Sequence, residues 1–98
     1  MNLQALMKQA QSMQKDMMKV KNEIDQTVFV GENGFVKVEV KGTKEINKIE
    51  INNSELTSDD IEMLQDMIMI AINDAFKKVD KMTEEKLGKF TNSVPGLF

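Results

Sequence analysis

Six consecutive apolar residues, MIMIAI at 67–72, lie in a segment whose other apolar positions include Ile61, Leu64, Ala75, Val79 and Met82. The spacings of three and four predict a helix, and a helix that is apolar over more than a full turn is buried on every side. The chain has only 98 residues, and a domain of that size buries about 60–65% of the surface that its unfolded chain exposes. One side of the helix can lie on a sheet. Nothing in so short a chain is left for the other side, so this face, with the open sheet edge beside it, is expected to meet a second copy of the protein. Met67, Ile68, Ile70, Ala71 and Ile72 are the candidate interface residues of that homodimer.

The rest of the chain supplies the sheet and one more helix. Leu3, Leu6, Ala10, Met13, Met17, Val20 and Ile24 repeat at spacings of three and four, which predicts a helix over 3–25 with a seam of coiled-coil type. A rod of that length measures about 33 Å, longer than the radius of gyration of about 13 Å expected for a 100-residue domain, so part of it should protrude. Over 26–52 the period changes to two. Val28 and Val30 alternate with Thr27 and Phe29, Val36, Val38 and Val40 with Lys37, Glu39 and Lys41, and Ile49 and Ile51 with Lys48 and Glu50. These are three half-buried strands. Asn33-Gly34, within GENG at 31–34, suits a turn with positive φ, and Gly42-Thr43 provides the second short connection, so the strands form an antiparallel meander. The loop NNSELTSDD leads into the second helix, expected over 58–87. Ser58 is its N-cap, with Thr57 and Asp60 at capping-box spacing as the competing choice. Gly88 ends it, and 88–98 form a partly ordered tail. The fold class is α+β, a single αβββα domain over 1–98.

Composition removes whole classes of function. The chain has no cysteine, histidine, arginine, tyrosine or tryptophan. The commonest general base, the thiolate nucleophile and most aromatic stacking surface are therefore missing. Asp59, Asp60, Glu62 and Asp66 could suggest a divalent-metal cluster, but acids in the first turns of a helix complement its dipole. No metal, cofactor, small-molecule substrate or catalytic residue is expected. No segment approaches 18 consecutive apolar residues and the start lacks a signal-peptide pattern, so a soluble intracellular protein with no membrane association is expected. GENG lacks the lysine and hydroxyl residue of a phosphate-binding loop and reads as a hairpin turn. The nine methionines read as adaptable core filling in place of leucine.

Charge is distributed unevenly. The chain carries a net −3, yet residues 1–22 hold Lys8, Lys15, Lys19 and Lys21 against Asp16 alone. On a helical wheel Lys8, Lys15 and Lys19 fall within about 40° of one another, roughly opposite the apolar seam, with Lys21 at the seam's edge. Lys77, Lys78, Lys81, Lys86 and Lys89 on the second helix are interleaved with Asp74, Asp80, Glu84 and Glu85, and pairing at i±3 and i±4 is expected to occupy most of them.

The order LMKQAQSMQKDMMKVKNEI, then VGENGFVKVEVKG (30–42), then IEMLQDMIMIAINDAFKKVDK and KLGKFTNSVPGLF resembles the YbaB/EbfC family of small bacterial nucleoid-associated proteins. Its most specific parts are GFVKVEVKG (34–42), AINDA (71–75) and the terminal PGLF. The resemblance implies a cytoplasmic, nucleoid-located, tweezer-shaped homodimer whose long helices are the jaws and which binds double-stranded DNA without chemistry on it. It places DNA contacts on Lys8, Lys15, Lys19 and Lys21 first, and on Lys77, Lys78 and Lys81 second. Relatives often carry a run of glycines where this chain has Glu32-Asn33. The absence of arginine favours backbone or shape recognition over direct reading of guanine. The alternative function is a protein-interaction module that docks a partner helix on the seam or on the methionine-rich surface.

Overall fold

The computed structural model describes residues 2–93, with side chains through Phe90. Helix α1 spans Leu3–Gln26, strands β1, β2 and β3 span Val28–Asn33, Val36–Lys41 and Ile46–Ile51, and helix α2 spans Ile61–Ser93. The strands form one antiparallel sheet in the order β1-β2-β3. The Asn2 side chain caps α1 by accepting a hydrogen bond from the Gln4 amide at 3.0 Å. Its last turn is closed by Thr27, whose hydroxyl donates to the Glu23 carbonyl at 2.7 Å and whose amide donates to the Ile24 carbonyl at 3.0 Å.

The sheet is built around β2. Val36, Val38 and Val40 are completely buried, and removing side chains of this kind from water stabilises a fold by about 1.5–3 kcal/mol each. In β1 the inward positions are Phe29 and Gly31 with the half-buried Asn33, while Val28 is exposed. This reverses the face that the two valines of β1 suggest. The β1–β2 turn is Gly34-Phe35, because Asn33 already pairs with Val36, and Gly34 alone takes positive φ there, at 56°. Between β2 and β3, Lys44 adopts φ 68°. Its amide donates to the Lys41 carbonyl at 2.8 Å, and its ammonium pairs with Asp80 at 2.9 Å and lies 5.6 Å from the centre of the Phe76 ring. A bulge between Glu39 and Val40 leaves Asn47 unpaired and keeps Ile46 opposite Val40.

Helix α2 lies against β1 and β2 through Ala71, Ala75 and Val79, all buried. The approach at Gly31 is so close that a Cβ there would overlap the Ala71 carbonyl oxygen and stand 2.6 Å from the Ala75 nitrogen. Both ends of this helix depart from expectation. Thr57, not Ser58, precedes the opening 3-10 turn Ser58–Asp60, and the Asp60 carboxylate accepts the Thr57 amide at 2.9 Å. Gly88 does not end the helix, which continues to Ser93, because Leu87 and Phe90 are buried against Ile24 of α1. That contact outweighs the propensity cost of a helical glycine. Residues 88–93 are therefore helix rather than tail, and the remainder of the expected tail, 94–98, lies outside the described residues.

Met82 touches both the sheet core and this second cluster, which also takes in Met13, Met17 and Val20 of α1. The paired helices thus run out from the sheet as a stalk. The molecule measures 71 × 20 × 14 Å with a radius of gyration of 19.5 Å.

Two glycine substitutions should move stability in opposite directions. Gly31→Ala forces the Ala71–Ala75 backbone away from the sheet and is expected to cost about 3 kcal/mol. Gly88→Ala meets nothing within 4 Å and is expected to stabilise by about 0.5–1 kcal/mol. Urea unfolding at one fixed protein concentration measures both, and a neutral Gly31→Ala would contradict the packing described.

Candidate nucleic-acid interface

The lysines of α1 stand on a regular helix whose seam, from Met13 to Ile24, faces α2. That contact fixes the helix about its own axis and directs the opposite side to solvent, where Lys8, Lys15 and Lys19 lie. Both these and Lys21 are exposed. Among the described residues none of the four takes part in an ion pair or a side-chain hydrogen bond. From Lys8 to Lys19 the stripe extends about 16 Å at 1.5 Å per residue, or about five base-pair steps of 3.4 Å along one DNA strand.

The lysines of α2 divide differently. Lys78 is engaged. Its ammonium donates to the Val30 carbonyl at 2.6 Å and lies 3.5 Å from Asp74, whose carboxylate accepts the Glu32 amide at 3.2 Å. Together the two side chains satisfy backbone groups on the free edge of β1, which blocks that edge against another strand. Lys77 and Lys81 are exposed, and among the described residues neither forms an ion pair. Among the described residues the expected interleaved pairing does not occupy Lys77 or Lys81. Of Lys77, Lys78 and Lys81, Lys78 alone takes part in it, with Asp74, and Asp80 turns instead to Lys44 in the β2–β3 loop. Sequence spacing shows helical neighbours but not a lysine brought in by a distant turn.

Two of the sheet's outward lysines, Lys37 and Lys48, face acids. Lys48 is 2.6 Å from Glu50. Hydrogen bonding and charge from Glu50 raise the Lys48 pKa above its ordinary value, and Lys48 in turn lowers that of Glu50. Lys37 is paired across the strands with Glu32 and Glu50, and Glu39 with Lys48. At the start of α2, Glu55, Asp59, Asp60, Glu62 and Asp66 follow with no lysine among them. No group of acids among the described residues is arranged to hold a metal ion, and no helix among them is long and apolar enough to cross a membrane.

The candidate dimer residues are placed as follows. Ala71 is wholly buried against Gly31 within the protomer, so it has no surface to offer a partner. Met67, Ile68 and Ile72 are half-buried and pack against the sheet core, with Met67 over the Gly34 turn. Ile70 is 51% exposed, and Met69, which the sequence reading passed over, is 56% exposed. Ile46, Ile49 and Ile51 of β3 share the inward face of Val40, Val38 and Val36, yet α2 does not reach them and they are exposed.

A family model described as the YbaB/EbfC DNA-binding family matches residues 1–94. The chain belongs to this family. Among curated relatives, a nucleoid-associated protein of Lactococcus lactis subsp. cremoris (strain MG1363) is 44% identical, over 97% of this chain and 98% of its own length. Another nucleoid-associated protein, from Ligilactobacillus salivarius (strain UCC118), is 41% identical over 99% of this chain and 95% of its own. The crystal structure of an uncharacterized Helicobacter pylori protein superposes with a TM-score of 0.76 at 24% identity, covering 92% of this chain and 97% of that one. This likeness shows that the two chains share the αβββα fold.

Proposed function

We propose that the protein is a nucleoid-associated, cytoplasmic protein that binds duplex DNA as a homodimer, chiefly by lysine–phosphate contacts, and performs no chemistry on it. The observation that carries this reading is the stripe Lys8, Lys15 and Lys19, without acid partners among the described residues, on the solvent side of a projecting helix. Lys21, at the seam's edge and away from the stripe, is a further exposed lysine of α1, and Lys77 and Lys81 form a second, smaller set. Lys78 contributes least, because its ammonium is occupied on the edge of β1. Such contacts position a protein on DNA without reading base sequence, which suits an architectural or regulatory role. Family membership and the names of the relatives support the same conclusion.

Uncovered apolar surface supports the homodimer. Met69 and Ile70 on α2 and the inner face of β3 are exposed in a single protomer, and a second copy that covers them would also use the free edge of β3. Two rods would then offer the lysine stripe twice.

If three lysines from each protomer meet one phosphate apiece, about six counterions are released, and log K should fall with log salt at a slope near −5. Lys8→Gln/Lys15→Gln/Lys19→Gln keeps helix propensity and should weaken binding to unrelated duplexes by similar factors while flattening that slope. A triple variant with unchanged affinity and slope in a gel-shift salt series would assign DNA to another surface or leave the interaction-module reading. For the dimer, Met69→Glu/Ile70→Glu changes side chains that are more than half exposed in the protomer, so the protomer should still fold. Sedimentation should then report a monomer at micromolar concentration, whereas a double variant as dimeric as the wild type would remove this interface.

A further inference from the structure

The apolar seam of α1 is covered along only half its length. Met13, Met17, Val20 and Ile24 pack with Leu87 and Phe90 of α2, whereas Leu3, Leu6 and Met7 are 71%, 43% and 56% exposed and Ala10 is exposed beside them. The spacing Leu3, Leu6, Ala10 runs into Met13, Met17, Val20 without a break. The uncovered half therefore has the geometry of the covered half, a stripe shaped to receive another helix.

The flanks indicate which helix. Between Asn2 and Gln14 the polar side chains are Gln4, Gln9, Gln11 and Ser12, and Lys8 is the one charged residue. A strongly charged partner would find no complementary rim there. Two copies of this segment would meet no like charges at the seam, and amides on either side both donate and accept hydrogen bonds. Lys8, Lys15 and Lys19 lie roughly opposite the seam on the helical wheel, so one rod can hold DNA on one side and another rod on the other.

We propose that the exposed seam Leu3, Leu6, Met7 and Ala10 pairs with the same seam of a second dimer, joining dimers tip to tip and thereby linking two DNA segments. The linking of DNA rests on the DNA-binding homodimer proposed above; the pairing itself does not. About two turns of helix bury well under the roughly 1,200 Å² of a stable interface. The pairing is consequently weak in free solution and gains strength where dimers are concentrated along DNA.

The test uses full-length protein and the variant Leu3→Gln/Leu6→Gln/Met7→Gln, which alters exposed positions and retains helix propensity. Sedimentation over a wide concentration range should show the wild type associating beyond the dimer and the variant stopping at the dimer. In a two-duplex assay, with one duplex on beads and the other labelled, the variant should bind a single duplex as well as the wild type but recover about tenfold less of the second. Three results would overturn the pairing: a wild type that never exceeds a dimer, a variant that associates and bridges as well as the wild type, or a variant that falls to a monomer, since the seam would then be covered inside the dimer. A wild type that associates beyond the dimer but binds no duplex would refute the DNA reading and leave the pairing standing.

Discussion

The close approach of α2 to the sheet at Gly31 sets the rest of the molecule. Because glycine has no side chain there, the Ala71–Ala75 backbone can settle directly on β1, and the small residues Ala71 and Ala75 complete the contact. A helix lying this close to β1 and β2 leaves β3 uncovered on its inward face. It also brings Asp74 and Lys78 onto the free edge of β1. One edge of the sheet is thereby blocked and the other left open. Beyond the sheet, the same helix continues to Leu87 and Phe90 and orients α1 through Ile24. The direction in which the lysine stripe faces is thus a consequence of a packing contact near the middle of the chain.

Net charge is a poor guide to such a molecule. With 16 acids and 13 lysines the chain is acidic, but screening limits the reach of an exposed charge to about 8 Å at physiological salt, far less than the 71 Å length of the protomer. A phosphate beside α1 is therefore governed by the local lysines and not by the acids at the start of α2. Lysine in place of arginine has its own consequence. A compact ammonium on a flexible stem neutralises phosphate but lacks the fork that reads guanine bidentately, which fits binding tolerant of sequence.

Much of the fold was legible because two periods are unambiguous in the chain: the spacing from Leu3 to Ile24, and the strict alternation of Val36, Val38 and Val40. Most of the failures share a cause, in that the deciding partner is distant in sequence. The buried face of β1 depends on Gly31, which carries no hydrophobic signal and is inward only because Ala71 lies over it. Gly88 has the form of a helix stop, and only the burial of Leu87 and Phe90 against α1 carries the helix through it. Thr57 and Ser58 are equally good caps by composition, and the placement of the Asp60 carboxylate decides between them. For the candidate site, the solvent-facing stripe on α1 followed from the wheel alone. The tethering of Lys78 to Val30 and the diversion of Asp80 to Lys44 did not, because both join residues more than 30 positions apart.

The central claim is that an acidic chain meets DNA through the solvent side of α1. Amide chemical-shift mapping during titration with a short duplex tests this most directly. Perturbations are expected to concentrate along α1 between Lys8 and Lys21, to be weaker near Lys77 and Lys81, and to spare the acidic first turns of α2. Perturbations centred on the sheet, with α1 unmoved, would contradict the account.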